Sequence, residues 1–159
     1  MGITNFIRES NAIEGIHRAP TALEVGSFRI FMEMPQLTFD DVLVLQAVFA
    51  PAKPLRSEPY MNVRVGNHIA PPGGAAIPLR LKEIIAEANT GDNPWQTHVN
   101  FETLHPFLVG NGRTGRAIWA WHMQRLGRYP FALGFLHRFY YQTLENSPVR
   151  VPATTEEKE

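Results

Sequence analysis

Residues 105–116 read HPFLVGNGRTGR, and this stretch concentrates the side chains best suited to chemistry. His105 closes one apolar segment. A Gly-Asn-Gly turn (Gly110, Asn111, Gly112) follows, and Arg113 and Arg116 open the next apolar segment. A glycine-rich turn leading into a helix aims several backbone N–H groups at one point, where the helix dipole adds partial positive charge. Arg113 and Arg116 are three residues apart, so both can face one side of the first helical turn. An anion site with a histidine beside it suits chemistry on a phosphate. A plain turn between two helices accounts for residues 110–112 as well, because Gly and Asn tolerate positive φ.

The full string narrows the choice. It resembles the signature of the Fic (FIDO) family, HPFx(D/E)GNGRxxR, at His105, Pro106, Phe107, Gly110, Asn111, Gly112, Arg113 and Arg116. The resemblance implies a mainly α, single-domain Fic-like helical fold with a small β-hairpin flap. It also implies a nucleotidyltransferase that moves AMP from ATP to a Tyr, Ser or Thr hydroxyl of a target protein. His105 would be the general base, since an imidazole near its ordinary pKa of about 6.5 is mostly neutral at cytosolic pH. Asn111 and Arg113 complete the implied catalytic set. Gly110, Asn111, Gly112, Arg113 and Arg116 would bind the nucleotide phosphates.

Val109 departs from the pattern. The family's acidic residue there binds Mg²⁺, and valine offers no oxygen, so no protein metal ligand is expected. Mg²⁺ keeps several waters and leans on one or two carboxylates plus phosphates, so a nucleotide-borne ion remains compatible with activity. The alternative implication is a catalytically impaired nucleotide-binding module.

Residues 10–15 read SNAIEG. By itself this is an ordinary helix end, with Glu14 solvated and Gly15 as a cap. Beside the signature, the same residues resemble the inhibitory motif (S/T)xxxE(G/N) of Fic proteins, carried by Ser10, Glu14 and Gly15. In that family the glutamate reaches the second signature arginine, here Arg116, and removes the group that should hold the γ-phosphate of ATP. A carboxylate and a guanidinium can pair bidentately, more strongly when partly desolvated.

The remaining chain must position these groups. Residues 5–16, with Phe6, Ile7, Ala12, Ile13 and Ile16, predict a short amphipathic helix. Pro20 starts a second helix with Leu23, Val25, Phe28 and Phe31 inward, ended by Pro35. Thr38 or Asp40 caps a third, with Val42, Leu43, Leu45, Val48 and Phe49 on its apolar side. Pro51, Pro54 and Pro59 mark an irregular connection.

In residues 60–74, Met61, Val63 and Val65 alternate with polar residues before a Gly66-Asn67 turn, predicting a hairpin. Two strands are marginal alone and must lie against something. The pattern fits a structural hairpin. The family resemblance makes it the flap over the active site, with Arg64, Val65, Gly66, Asn67, His68 and Ile69 pairing with an extended target segment.

Residues 76–89 carry a helical stripe of Ile77, Leu79, Leu81, Ile84, Ile85 and Ala88. Asn93-Pro94 caps a helix running through Trp95, His98, Val99, Phe101, Leu104 and His105, with His98 as packed support. Residues 113–126 are apolar on most faces, which predicts a buried central helix. Residues 131–144 form an aromatic-rich segment that could supply a self-association surface, a common habit of the family. The tail from 154 is polar and charged. The expected organisation is an inhibitory helix over 1–18, a Fic-like core over 19–150 and a disordered tail over 151–159.

Composition sets limits. At 159 residues and 44% hydrophobic the chain can build one real core. Fifteen basic residues balance fifteen acidic ones, so no basic field favours nucleic acid or an anionic membrane. With no cysteine, disulfides and thiolate metal sites are excluded. No leader or membrane span is evident, and the expectation is a soluble, cytoplasmic protein.

Overall fold

The structure, a computed structural model, describes residues 2–131. The expected aromatic segment beyond Phe131 and the polar tail lie outside those residues. Within them the chain is mainly α: α1 Ile3–Ile13, α2 Ala22–Glu33, α3 Phe39–Phe49, then strands β1 Arg64–Val65 and β2 His68–Ile69, then α4 Ala76–Thr90, α5 Pro94–Leu104 and α6 Asn111–Arg125. No described helix is long and apolar enough to cross a membrane.

Local chemistry fixes the helix starts. Thr21 and Thr38 each cap with a reciprocal box, Thr21 with Glu24 and Thr38 with Asp41. Asn93 accepts from the Gln96 amide, with Pro94 at the first helical position. The expectation that Pro20 opens α2 is corrected: Pro20 lies just outside the Thr21 cap, because the box with Glu24 requires the helix to begin at Ala22. Leu23 and Leu79, expected inward, are exposed. Glu24 takes the inward place on α2 with Phe28, Phe31 and Met32. On α4, Leu79 is two residues from both Ile77 and Leu81, about 200° round the helix from the buried stripe.

The helix α6 is the centre of the fold. Residues 113–122 are buried on every side, and α1 to α5 all pack against it. Phe6, Phe28, Leu45, Leu81, Ile84, Phe101, Ala117 and Ala120 close the core around it. Its closest neighbour is α5, and Gly115 makes that approach possible. A Cβ there would lie 2.7 Å from Glu102 Oε1 and 2.8 Å from the Phe101 ring.

The hairpin is shorter than the alternation predicts. It pairs Arg64 with Ile69 and Val65 with His68 around the Gly66-Asn67 turn. Met61 and Val63 lie outside the strands, although Ala70 N–H still donates to the Val63 carbonyl at 3.3 Å. The hairpin rests on α5, where His68 Nε2 donates to the Thr103 carbonyl at 2.9 Å.

Candidate functional site

Two helix ends and the loop between them build the site. α5 stops at Leu104, one residue before the sequence reading places it. His105 is the C-cap, in left-handed backbone conformation at φ 50°. α6 begins at Asn111, two residues earlier than expected, because Gly110 at φ 86° serves as its N-cap. That positive φ is the physical reason for glycine at 110.

The loop is braced from several directions. Asn111 Oδ1 accepts from the Phe107 amide at 2.8 Å, and its Nδ2 donates to the Phe107 carbonyl at 2.7 Å. The Asn111 side chain is thus spent on shaping the loop. Phe107 is fully buried and bridges Leu55, while Leu108 N–H reaches the Pro54 carbonyl at 3.2 Å. Gln46 Nε2 donates to the carbonyls of Val109 and Lys53 at 2.9 and 2.8 Å. The Val109 side chain is exposed.

The imidazole of His105 is mostly enclosed. Burial, then the charge of Arg56 and the nearness of His68, push its pKa down to about 4, so it is neutral at pH 7. A ring N–H donates to the Glu102 carbonyl. The other ring nitrogen is therefore an acceptor, the form a general base needs.

The first intrahelical bond of α6 runs from the Thr114 amide to the Gly110 carbonyl at 3.1 Å. The preceding amides, with the helix dipole, leave positive potential around Gly112. Arg113 and Arg116 are both buried there. Arg113 Nη1 donates to the Phe49 carbonyl at 3.0 Å, and its guanidinium lies 5.5 Å from the Phe49 ring centre.

Arg116 is held entirely from α1. Its Nη2 donates to Glu14 Oε2 at 2.7 Å and to the Ser10 carbonyl at 3.0 Å, and its Nε donates to Ser10 Oγ at 2.8 Å. The Glu14 carboxylate lies over Gly112, where an added Cβ would come within 2.5 Å of it.

The end of α1 explains this aim. Glu14 is the C-cap, so the helix finishes sooner than the predicted residue 16. Gly15 at φ 79° donates to the Ala12 carbonyl, and Ile16 donates to the Asn11 carbonyl, both at 3.0 Å. This is the Schellman arrangement, which needs a left-handed residue after the cap and fixes where Glu14 points.

The hairpin residues differ in their contacts. His68 contacts α5 and stands near His105, whereas Arg64 folds back on the Gly66 carbonyl at 2.9 Å and Ile69 is exposed. His98 is buried at the α5–α6 contact, its ring bonded to the Gly115 carbonyl, and burial pulls its pKa down to about 3. Beside it, burial raises Glu102 to about 7, against the opposing pull of Arg116.

At the signature, Val109 has no donor atom to offer Mg²⁺, and the nearby carboxylate of Glu14 is engaged by Arg116.

Sequence reasoning missed Gln46 and Arg56. A glutamine inside the apolar stripe of Val42, Leu45 and Phe49 was a readable signal. Arg56, fully buried in the proline-rich connection, had none, because irregular backbone carries no periodicity.

The signature thus brings together the positive end of α6, two buried arginines and a neutral histidine, and comparison with known families agrees with that string. The model of the Fic/DOC family matches residues 11–123. Members of that family are commonly transferases acting on proteins. The match takes in well over half of the chain, including Glu14, His105 and both signature arginines, and the chain belongs to the Fic/DOC family.

Proposed function

We propose that this protein is an autoinhibited protein adenylyltransferase that moves AMP from ATP to a Tyr, Ser or Thr hydroxyl of a target protein. The observation that carries the reading is the Glu14 carboxylate seated on Arg116 over Gly112, at the positive end of α6. A carboxylate in that place is an anion where a phosphate oxygen would bind, so the two compete.

In the transfer, the acceptor nitrogen of His105 takes the hydroxyl proton. The hydroxyl oxygen then forms a bond to the α-phosphorus of ATP. The bond from that phosphorus to the bridging oxygen breaks, and pyrophosphate leaves. Arg113, Arg116 and the first-turn amides of α6 offset the charge on the phosphates. Asn111 contributes through the loop it braces, and Gly110 and Gly112 let the backbone come close. The hairpin is seated on α5 by His68, and in this reading its backbone pairs with an extended target segment. With valine at 109, no step is assigned to a protein-bound metal.

Incubation with ATP labelled on the α-phosphate, Mg²⁺ and cell lysate tests the reading. Glu14→Gly is expected to label protein at least about tenfold faster than the parent, a loss of restraint near 1.4 kcal/mol. Adding His105→Ala should remove the label. Label that survives His105→Ala, or its absence from Glu14→Gly, overturns the transferase reading.

Val109 supports a second reading, a nucleotide-binding module without turnover. Under it, Glu14→Gly binds ATP but labels nothing, and Val109→Asp restores labelling.

A further inference from the structure

We propose that Arg56 is a positioning residue for His105: one buried guanidinium ties the base of the hairpin to the C-terminal end of α5, so that both move as a unit. The inference deepens the proposed function and takes its general base from it, but its test needs no turnover.

Arg56 is fully buried, and each of its hydrogen bonds goes to a backbone carbonyl. Nε donates to His105 at 2.7 Å and Nη2 to Leu104 at 2.8 Å. Nη1 donates to Met61 at 3.0 Å, just before the hairpin, and to Pro71 at 2.8 Å, just after it. Among the described residues, no carboxylate pairs with it. A buried cation without a counter-ion is costly, and burial accordingly lowers its pKa. The carbonyl dipoles hold it in place.

The backbone of Arg56 completes the knot. Its amide donates to the Pro106 carbonyl at 2.9 Å, and its carbonyl accepts from Gly74 at 3.0 Å. Arg56 therefore touches the residue on either side of His105, His105 itself, and both feet of the hairpin.

Two consequences follow for His105. The last carbonyls of α5 are orphaned by the helix end, and Arg56 satisfies two of them while His105 adopts its left-handed turn. The unneutralised charge of Arg56 also faces the imidazole and opposes its protonation. The other groups acting on that ring are His68 from β2, Glu102 from α5 through its carbonyl, and Glu14 from the end of α1, which favours protonation. A planar fork is needed to reach carbonyls on both sides, which a lysine ammonium cannot do with the same reach.

The test is an NMR titration of the His105 ring, assigned through His105→Ala, with amide hydrogen exchange of the hairpin in the same samples. In the parent, His105 is expected to titrate near pH 4. Arg56→Met should raise that midpoint toward the ordinary 6.5, because the charge of Arg56 is the second cause of the low value after burial. It should also speed exchange at Ala70 and Gly74 by at least about tenfold. Arg56→Lys should hold the midpoint low while exchange still quickens, which separates charge from fork. Arg56→Gln, neutral but able to donate, gives the same reading as Met if the Met variant does not fold.

An arginine that serves only the hairpin would leave the His105 titration unmoved in folded protein. An unchanged midpoint in folded Arg56→Met or Arg56→Gln overturns the proposal, as does hairpin exchange that stays at the parent rate. Failure of the transferase reading is seen separately, as absence of label from Glu14→Gly protein whose His105 titration still responds to Arg56.

Discussion

At Gly112 a methyl group would lie 2.5 Å from Glu14 Oε2 and 3.0 Å from Arg116 Nη1. Both are ends of side chains that can swing, so Gly112→Ala should fold, helped by Ala's advantage over Gly of about 0.5–1 kcal/mol inside a helix. The expected cost falls on the ion pair. In a double-mutant cycle, the coupling between Glu14 and Arg116 should drop on the Gly112→Ala background, and an unchanged coupling would mean that the carboxylate does not lie over residue 112. His105 supports a second expectation. An imidazole pushed down to about 4 stays neutral through mildly acidic pH, and Glu14→Gly removes a charge that favours its protonation, so the acid limb of transfer by that protein should fall at or below about pH 4. A limb near 6.5 would mean an ordinary, solvated histidine. His105, Gly110, Asn111, Gly112, Arg113 and Arg116 were legible because one contiguous string carries them. What Asn111 does was not: its amide braces Phe107, a partner that only the folded loop supplies.

The element that covers Arg116 is the end of α1, and a buried carboxylate on α2 holds it. Glu24 Oε2 accepts from Asn11 Nδ2 at 3.4 Å, and Oε1 accepts from Arg18 at 2.8 Å and from the Thr21 amide at 2.8 Å. Burial alone would raise the Glu24 pKa, but the bonds from Arg18 and Thr21 outweigh it and hold the group ionised. Glu24 thus grips both sides of the turn that presents Glu14. Glu24→Gln should loosen that turn, raising labelling in the presence of Glu14 by a few-fold while α2 to α6 keep their exchange protection. Labelling at the parent rate would show that the Schellman turn holds Glu14 unaided. Elements of this kind were legible where local chemistry sets them, as with the Thr38 and Asn93 caps and the glycine after Glu14. Leu23 and Leu79 lie outside the core because apolar composition does not set helical phase, which Glu24 and the Ile77, Leu81, Ile84 stripe decide. The proline-rich connection was legible only as irregular backbone. Its pairing of Leu55 with Phe107 is a long-range contact that no local pattern encodes.

For the molecule as a whole, the ionisable groups packed around α5 and α6 set the response to acid. Burial holds His98 at about 3 and His105 at about 4, and it also lowers His122, all from an ordinary value of 6.5. Below pH 6.5 the unfolded chain takes up protons at these rings that the folded chain refuses. Their contribution is therefore present above 6.5 and is lost as pH falls toward the folded values, about 4 for His105 and about 3 for His98. Glu102 acts in the opposite sense. Burial raises it from 4.5 to about 7, so between those values the folded chain keeps a proton that the unfolded chain gives up, and acid favours folding. Three histidines oppose one glutamate, and the histidines should win. Unfolding free energy from denaturant melts is expected to fall between pH 7.5 and pH 5 by on the order of 1–3 kcal/mol. Glu102→Gln removes the opposing group and should steepen that fall. Below pH 4.5 Glu24, held ionised by Arg18, adds its own loss as it protonates, so the decline should continue toward pH 3. Stability that stays level or rises between pH 7.5 and 5 would place the histidines in contact with water, and with it the base proposed for transfer.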